Sequence, residues 1–300
     1  MHNLFYYCKS LKSIDLSNFD TSKVKTMNYL FYRCFSLEFI NLSSKFVTSN
    51  VINMNRMFCD CKLLISLNLS NFNTSNVINM DHMFTNCRTL TSLDLSNFDT
   101  SKVTTMNSMF YDCWNLTNLD LSTFDTSNVT DFFEMFQGCL SIESINLSGF
   151  NTSKVTNITN IFGRCKLLKS IDLSHFNTYN VQSMYSMFSD CENLISLDIS
   201  NFDTSKVTSF SRMFKNCKSL KKIDLSSFDT SEVTNMNSMF SYVLAKELDL
   251  SEFNTLSVTN FDKMFEECRN LTIIIHEKNC QNMISYIPKY VNYKFKDSTN

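Results

Sequence analysis

One sequence motif recurs along almost the whole chain at a nearly fixed period, and this repeat constrains the fold more than any other feature. The segment Leu90 to Leu116 reads LTSLDLSNFDTSKVTTMNSMFYDCWNL. The same pattern, LxxLDLSxFDTSxVTxMxxMFxxCxxL, returns every 26 residues, apart from one step of 27 and one of 25. Ten LDLS-type and eleven MF-type units are present. A period between about 20 and 50 residues indicates stacked repeats rather than a globular two-layer fold.

Two hydrophobic periods follow each other within one unit. Leu93 and Leu95 alternate with polar residues, which is typical of a short strand with one buried face. The next apolar residues are spaced by three or four, which predicts a short helical or 3₁₀ turn: Val103, Met106, Met109, Phe110, Cys113 and Leu116. We therefore predict an α/β solenoid of the leucine-rich-repeat type, with about ten coils, one short parallel strand and one helical or 3₁₀ turn per coil. The Asp or Asn of each FDTS or FNTS corner is expected to bond the backbone two residues on.

The repeat predicts two regions. Residues 1–271 form the solenoid, and its first coil, MHNLFYYC, matches only the back half of a repeat, so we expect an uncapped, truncated N-terminal end. Residues 272–300 abandon the repeat and are predicted to cap the other end. The predicted cap has a strand at Ile273–His276, a short helix near Lys278–Ile287 ended by Pro288, and a final KYVNYKF strand.

Composition excludes several classes of function. The chain has 3 Gly and neither GxGxxG nor GxxxxGK[ST], so it has no phosphate-binding loop, and its net charge of −2 offers no basic field for nucleic acid. The sequence contains no run of 18 apolar residues, so we predict no insertion into a membrane. No signal peptide or lipobox is visible. The 4 His are scattered without HExxH, which argues against a metal site. Because every coil repeats the same groups, unlike groups do not converge, and we predict no catalytic residue, no cofactor and no enzyme activity.

Cysteine is abundant, and its placement is regular. Cys59 and Cys280 fall outside the repeat slot and are predicted to be the more reactive thiols. The other ten cysteines occupy one slot per coil, which predicts a ladder of buried, reduced thiols: Cys8, Cys34, Cys61, Cys87, Cys113, Cys139, Cys165, Cys191, Cys217 and Cys268.

The outer face of the strands is the predicted recognition surface. Asp or Asn fills one row of this face in every unit, and Ser fills the row two residues on. A row of carboxylates could bind a cation or a basic partner, whereas ladders of Ser and Asn hydrogen bonds would explain both rows without a ligand. We include the aromatic residues at breaks in the repeat among the candidate recognition residues, because protein interfaces are enriched in aromatic anchors. The candidate residues are Asp15, Asp94, Asp120, Asp172, Asp198, Asp224, Asp249, Trp114, Phe133, Tyr179 and Tyr185.

From Leu4 to about Leu271, the repeat MFxxCxxLxxLDLSxFDTSxVT resembles that of the BspA-like leucine-rich-repeat surface proteins, in the 26-residue form found in mycoplasma lipoproteins. The resemblance implies a noncatalytic protein-binding repeat module that is displayed at the cell surface or secreted, as an adhesin-like or host-interaction protein. Its partner would be a protein of unknown identity, and the resemblance leaves the oligomeric state open.

Two alternatives remain open from the sequence. An intracellular protein-interaction scaffold of the same fold would agree with the many thiols and with the lack of a visible signal peptide. An ice or crystal surface could be bound by the unbroken column of ten Thr that runs from Thr21 to Thr255. The companion column, which is Ser interrupted by Tyr179 and Leu256, argues against a flat Thr array.

Overall fold

A computed structural model describes residues 1–296, which consist almost entirely of turns and short parallel strands. The elements in chain order are β1 (Ser13–Asp15), β2 (Phe39–Asn41), β3 (Asn118–Asp120), β4 (Ser144–Asn146), β5 (Glu247–Leu250), β6 (Thr272–Ile275), α1 (Gln281–Ile284) and β7 (Asn292–Phe295). The strands pair in parallel with their neighbours in the chain and form three separate sheets, β1-β2, β3-β4 and β5-β6-β7. Nowhere in the described range is there a helix with the length and apolar character that crossing a bilayer requires.

The chain divides into two compact units, Met1–Lys154 and a second that starts at Val155. Each unit is a parallel β-solenoid, because isolated parallel bridges join equivalent positions of successive coils. In the first unit these bridges run Thr26–Asn53–Asn79–Thr105. In the second unit they run Asn157–Ser183–Ser209–Asn235–Asn260. The predicted stacking of one repeat per coil is therefore confirmed within each unit.

The helical or 3₁₀ turn predicted for each coil is wrong. Residues 106–113 form a chain of separate tight turns instead of a helix. The Met109 N–H donates to the Met106 carbonyl at 3.2 Å, and the Cys113 N–H donates to the Phe110 carbonyl at 3.2 Å. The apolar spacing of three and four that predicted a helix is thus satisfied by consecutive turns.

Left-handed residues between these turns explain why no helix forms. Ser108 and Asp112 have φ values of 52° and 54°, which break a helical ladder because an α-helix needs negative φ throughout. Their N–H groups donate to the next coil, to the carbonyls of Phe133 (2.8 Å) and Gln137 (2.7 Å). Each turn segment therefore also holds two coils together.

Strand pairing is less continuous than predicted. The segment equivalent to a strand at Ser92–Ser96 is not a strand in the structure, and the described residues contain seven strands rather than about ten. Beside that segment, one backbone hydrogen bond still joins its coil to the next coil: the Thr117 N–H donates to the Thr91 carbonyl at 3.2 Å. The bonds of the turn segments maintain the coil spacing where the strands do not.

Two stacks of phenylalanine rings fill the interior. Phe110 is fully buried, and its ring lies nearly parallel to those of Phe84 and Phe136, with centroids 5.7 Å away on both sides. Phe98 stacks in the same way on Phe124, at 6.4 Å. The second unit continues the pattern, with stacked pairs along Phe162, Phe188, Phe214, Phe240 and Phe265.

The threonine column points into the molecule. Thr100 is 1% exposed, and its Oγ1 donates to the Asp125 carbonyl of the next coil at 2.9 Å. Thr126 is likewise buried and donates to the Asn151 carbonyl at 3.0 Å, while the Asn151 N–H donates back to its Oγ1 at 2.8 Å. A column that is buried and engaged in this way offers no surface to ice, so that alternative is excluded.

The elements predicted after the last repeat are present in the order expected. β6 and β7 lie close to the two predicted strands, and α1 falls within the predicted helical segment. Cys280 and Met283 are buried, and the Asn279 carbonyl accepts the Thr255 N–H of the last repeat at 2.9 Å. The boundary at residue 271 and the capping role remain predictions, and residues 297–300 of the predicted cap lie outside the described range.

Candidate functional site

The aspartate row of the predicted recognition face is exposed, and each carboxylate supports a turn of its own backbone. Asp94 Oδ1 accepts the Ser96 N–H at 3.0 Å and the Ser96 hydroxyl at 2.7 Å. The same Asp-to-Ser backbone bond, between 2.8 and 3.1 Å, is made by Asp15, Asp120, Asp172, Asp198, Asp224 and Asp249. Hydrogen bonds from the following serine lower the pKa of Asp94. The row therefore has a structural role whether or not it binds a partner.

The FDTS corners use the same device, as the sequence predicted. Asp99 Oδ1 accepts the Ser101 N–H at 3.0 Å, and Asp203 Oδ1 accepts the Ser205 N–H at 3.0 Å. In a chain with 3 Gly, these side chain to backbone bonds stabilise the corners.

The aromatic candidates lie on other segments of the coil than the aspartate row. Trp114 follows the cysteine slot of its coil, and Phe133 lies on the turn segment, half-buried. In the second unit, Tyr185 also lies on a turn segment, whereas Tyr179 lies at an FNTY corner and is 51% exposed. Within neither unit does the structure gather its predicted residues into one patch, and their role in recognition remains a prediction.

Three of these aromatic rings each lie against a cation from a neighbouring coil. The Arg88 guanidinium lies 3.7 Å from the centre of the Trp114 ring. The Lys206 ammonium lies 3.5 Å from the Tyr179 ring. In the third pair, with Tyr185, the hydroxyl accepts a hydrogen bond from Arg212 Nη1 at 3.0 Å.

A denser cluster of the same chemistry, which the sequence reasoning missed, lies in the first unit. Tyr6 stacks on Tyr32 with centroids 5.3 Å apart, and Tyr29 meets Tyr32 edge-on at 5.3 Å. Tyr7 packs beside Tyr6 at 6.1 Å. Tyr6 and Tyr7 are 46% and 43% exposed.

Cations border these rings. The Arg33 guanidinium lies 5.0 Å from the centre of the Tyr32 ring, and the Arg56 guanidinium lies 5.6 Å from that of Tyr29. Arg56 Nη1 also donates to the Tyr29 hydroxyl at 3.0 Å. We call Tyr6, Tyr7, Tyr29, Tyr32, Arg33 and Arg56 the aromatic–cationic surface.

The electrostatics of this surface follow from its close pairs. Lys9 lies 4.2 Å from the Tyr7 ring centre, and its hydrogen bond and charge lower the pKa of the Tyr7 hydroxyl. Burial raises the pKa of the Tyr32 hydroxyl. Arg33 Nε forms an ion pair with Asp60 Oδ2 at 3.5 Å. Tyrosine and arginine are residues that dominate binding energy at protein interfaces.

A sequence signal for this surface existed. Four of the 11 Tyr of the chain fall between residues 6 and 32, and both arginines occupy the corresponding turn segments. Residues of this surface that meet across coils are 26 or 27 positions apart in the sequence, and the stacking of successive coils brings the six side chains together.

The cysteine ladder makes a specific hydrogen bond in addition to packing. Cys113 Sγ donates to the Phe84 carbonyl of the preceding coil at 3.2 Å, and burial raises the pKa of this thiol to about 12. The same bond, between 2.9 and 3.2 Å, is made by Cys34, Cys61, Cys87, Cys139, Cys191, Cys217 and Cys268. Only a protonated thiol can donate, so this bond is lost on ionisation or oxidation.

The prediction that Cys59 and Cys280 are the reactive thiols is wrong. Cys59 is 4% exposed and Cys280 is fully buried, and burial raises the pKa of both thiols. A position outside the repeat slot can still point into the core, as both of these do. The ladder prediction is also wrong for Cys8, which is the one exposed cysteine of the described residues because no coil before its half coil covers it there.

Within residues 1–296, no three His, Cys, Asp or Glu side chains lie close enough together to hold a metal ion.

Comparison with known proteins places the repeat in a family. The family model described as "Mycoplasma protein of unknown function, DUF285" matches residues 1–93, 37–150, 80–196 and 191–297. The chain belongs to the DUF285 family. No curated protein sequence matches this DUF285 chain.

Two solved structures resemble this DUF285 protein in part. One is a leucine-rich repeat protein from Bacteroides ovatus ATCC 8483, with a TM-score of 0.46 and 17% identity, covering 99% of this chain and 87% of that one. The other is the functional domain of InlJ from Listeria monocytogenes, which is described as including a cysteine ladder. Its TM-score is 0.24 at 13% identity, and the match covers 88% of this chain and 61% of that one.

Proposed function

We propose that this DUF285 protein is a noncatalytic protein-binding repeat module, displayed at the cell surface as a BspA-like, adhesin-like or host-interaction protein. The observation that carries the proposal is the aromatic–cationic surface, because Tyr and Arg are enriched in the residues that contribute most to protein–protein affinity. The stacked coils hold these side chains on a rigid scaffold, which lowers the entropy lost on binding.

The test compares paired variants at equivalent positions of the repeat. Tyr7→Ala combined with Arg56→Ala removes a ring and a cation from the aromatic–cationic surface. Tyr242→Ala combined with Lys263→Ala is the matched control, because Tyr242 and Lys263 occupy the same two slots in the second unit. Both positions of each pair have positive φ, so the backbone effect of alanine is the same.

The full chain is immobilised and exposed to fractionated host extracellular proteins, and saturable binding of each purified retained protein is measured. We expect a retained protein whose affinity falls at least about tenfold for the Tyr7→Ala, Arg56→Ala variant, which is the loss of one or two interface hot spots. The control variant should bind as the unchanged chain does. Equal binding by both variants would place recognition elsewhere and contradict the proposal.

The intracellular scaffold remains a second candidate because the described thiols are free and mostly buried, which suits a reducing compartment. Protease treatment of intact cells that produce the protein separates the two locations. Removal of the protein by external protease supports display at the surface, and survival until lysis supports the scaffold.

A further inference from the structure

A groove of about 610 Å³ lies in the second unit, where the repeat is one residue short. Nine residues run from Cys217 to Leu225, but only eight run over the equivalent stretch from Val243 to Leu250. Ala245, which is buried two residues after Val243, takes the position that the buried Leu220 occupies in the preceding coil. The groove opens where this shorter and thinner corner meets the preceding coil.

Three lysines supply positive charge to the groove. Lys221 and Lys246 lie at the start of successive strand segments, and Lys222 follows the first of them. All three are exposed, and their ammonium groups make no ion pair or hydrogen bond within residues 1–296. An anion bound here would therefore displace no existing partner.

The carboxylates of the groove, in contrast, are already engaged. Asp224 and Asp249 each accept the backbone N–H of the serine two residues on, at 3.0 and 2.9 Å. Glu247 forms an ion pair with Lys294 at 3.1 Å. The serine bonds leave Asp224 and Asp249 ionised. With Glu247 paired to Lys294, the three lysines therefore exceed the two remaining carboxylates of the groove by one positive charge, which matches an anion of single charge.

Apolar side chains line the rest. Ile223 is 9% exposed. Leu244 is 48% exposed and lies at the corner where the repeat is one residue shorter. Burying such a leucine against a ligand chain is favourable because apolar surface leaves water. A volume of about 610 Å³ is within the range of small-molecule sites.

We propose that this groove binds a small amphiphilic carboxylate, with its anionic headgroup among Lys221, Lys222 and Lys246 and its aliphatic chain on Ile223 and Leu244. The combination of three unpaired ammonium groups and an apolar wall is what such a ligand complements, since a carboxylate supplies the missing charge. This site is separate from the aromatic–cationic surface and does not depend on the proposed protein-binding function.

Sodium decanoate is the probe, titrated calorimetrically into the full chain at neutral pH and low salt. We expect one saturable site, with an affinity at least about tenfold weaker for Lys221→Gln, Lys222→Gln, Lys246→Gln, because three favourable charge interactions are lost. Leu244→Ser should also weaken binding, through the lost apolar contact. The control Lys12→Gln, Lys23→Gln, Lys25→Gln changes the net charge equally at exposed positions of the first unit and should bind decanoate normally.

Specificity is tested with two further probes. Acetate, which lacks the chain, and a decyl trimethylammonium salt, which reverses the headgroup charge, should both bind much more weakly than decanoate. The absence of saturable decanoate binding up to about 5 mM would overturn the proposal. Equal binding of the cationic probe, or unchanged binding by the triple lysine variant, would also overturn it, because the lysines would then not read the headgroup.

Discussion

Removing one ring from the middle of the phenylalanine stack should destabilise the first unit strongly. Phe110 is fully buried between two rings at 5.7 Å, and its N–H donates to the Met135 carbonyl of the next coil at 2.9 Å. The neighbouring coils are held at their spacing by such bonds, so Phe110→Ala should leave a cavity that cannot close. Phenylalanine buries about 200 Å² at about 25 cal/mol per Å², and the observed range for Phe→Ala in cores is about 3 to 5 kcal/mol.

The assay is urea unfolding followed by the fluorescence of Trp114, the single tryptophan, which lies four residues from Phe110 in the same coil. At a slope of about 1 to 3 kcal/mol per M, a loss of about 3 to 5 kcal/mol should lower the midpoint by at least about 1 M. A local fluorescent reporter matters because long repeat arrays need not unfold in one step.

Phe5→Ala is the matched control. Phe5 occupies the same slot, but it is only partly buried and stacks on one ring, Phe31, at 5.3 Å. Because Phe5 lies several coils from Trp114, both variants are also followed by far-UV circular dichroism, and on that signal the midpoint should fall less for Phe5→Ala than for Phe110→Ala. Equal shifts for the two variants, or no shift for Phe110→Ala, would refute the claim that the stack is rigid and closely packed.

Three further predictions follow from single side chains. In the native protein, iodoacetamide should label exposed Cys8 first and leave Cys59 and Cys280 unlabelled. Mass spectrometry of the digested protein measures this labelling, and early labelling of Cys59 would contradict its burial. Because burial raises the pKa of Cys113 from its usual 9.0 to about 12, its contribution to stability is complete below pH 9 and is lost as pH rises from 9 towards 12. Cys113→Val, which copies the residue that Val243 places in this slot, should reduce that alkaline loss, and an unchanged alkaline unfolding curve would count against the ladder. Thr100→Val should lower the free energy of unfolding in urea by about 1 kcal/mol, because it removes the buried hydrogen bond to the Asp125 carbonyl. Thr100→Ser keeps the hydroxyl and should retain most of that free energy. Equal losses for the two variants would argue against the hydrogen bond.

The sequence predicted the features that depend on the repeat period. Stacking of one unit per coil, the rows of buried Phe110-type residues, the buried Cys113-type slot and the Asp99-type corners are all present. These features follow from residue identity at a fixed spacing, so a translational repeat reproduces them in every coil.

The turn segments could not be read from apolar spacing alone. Val103, Met106, Met109 and Cys113 suit a helix and a chain of tight turns equally well, because both return side chains to one face every three or four residues. What decides between them is the positive φ at Ser108 and Asp112. Polar residues tolerate that conformation, yet they also occur on exposed helix faces, so their presence was not a clear signal.

The placement of aromatic side chains from different coils was the hardest feature to predict from the sequence. Asp94 and its equivalents are exposed as expected, but Trp114 and Tyr179 lie on different segments, and the Tyr6–Tyr32 stack joins residues 26 positions apart. Side chain contacts between coils depend on which rotamers neighbouring rings adopt, and a repeat period does not determine those.

Residue-specific backbone NMR of the segment 106–113 tests the central structural claim most directly, because that segment distinguishes stacked tight turns from a helical coil. We predict φ-sensitive couplings and Cα shifts of left-handed residues at Ser108 and Asp112, together with slow exchange of their N–H groups, which donate to the Phe133 and Gln137 carbonyls of the next coil. An uninterrupted run of helical shifts from Met106 to Cys113 would contradict the account.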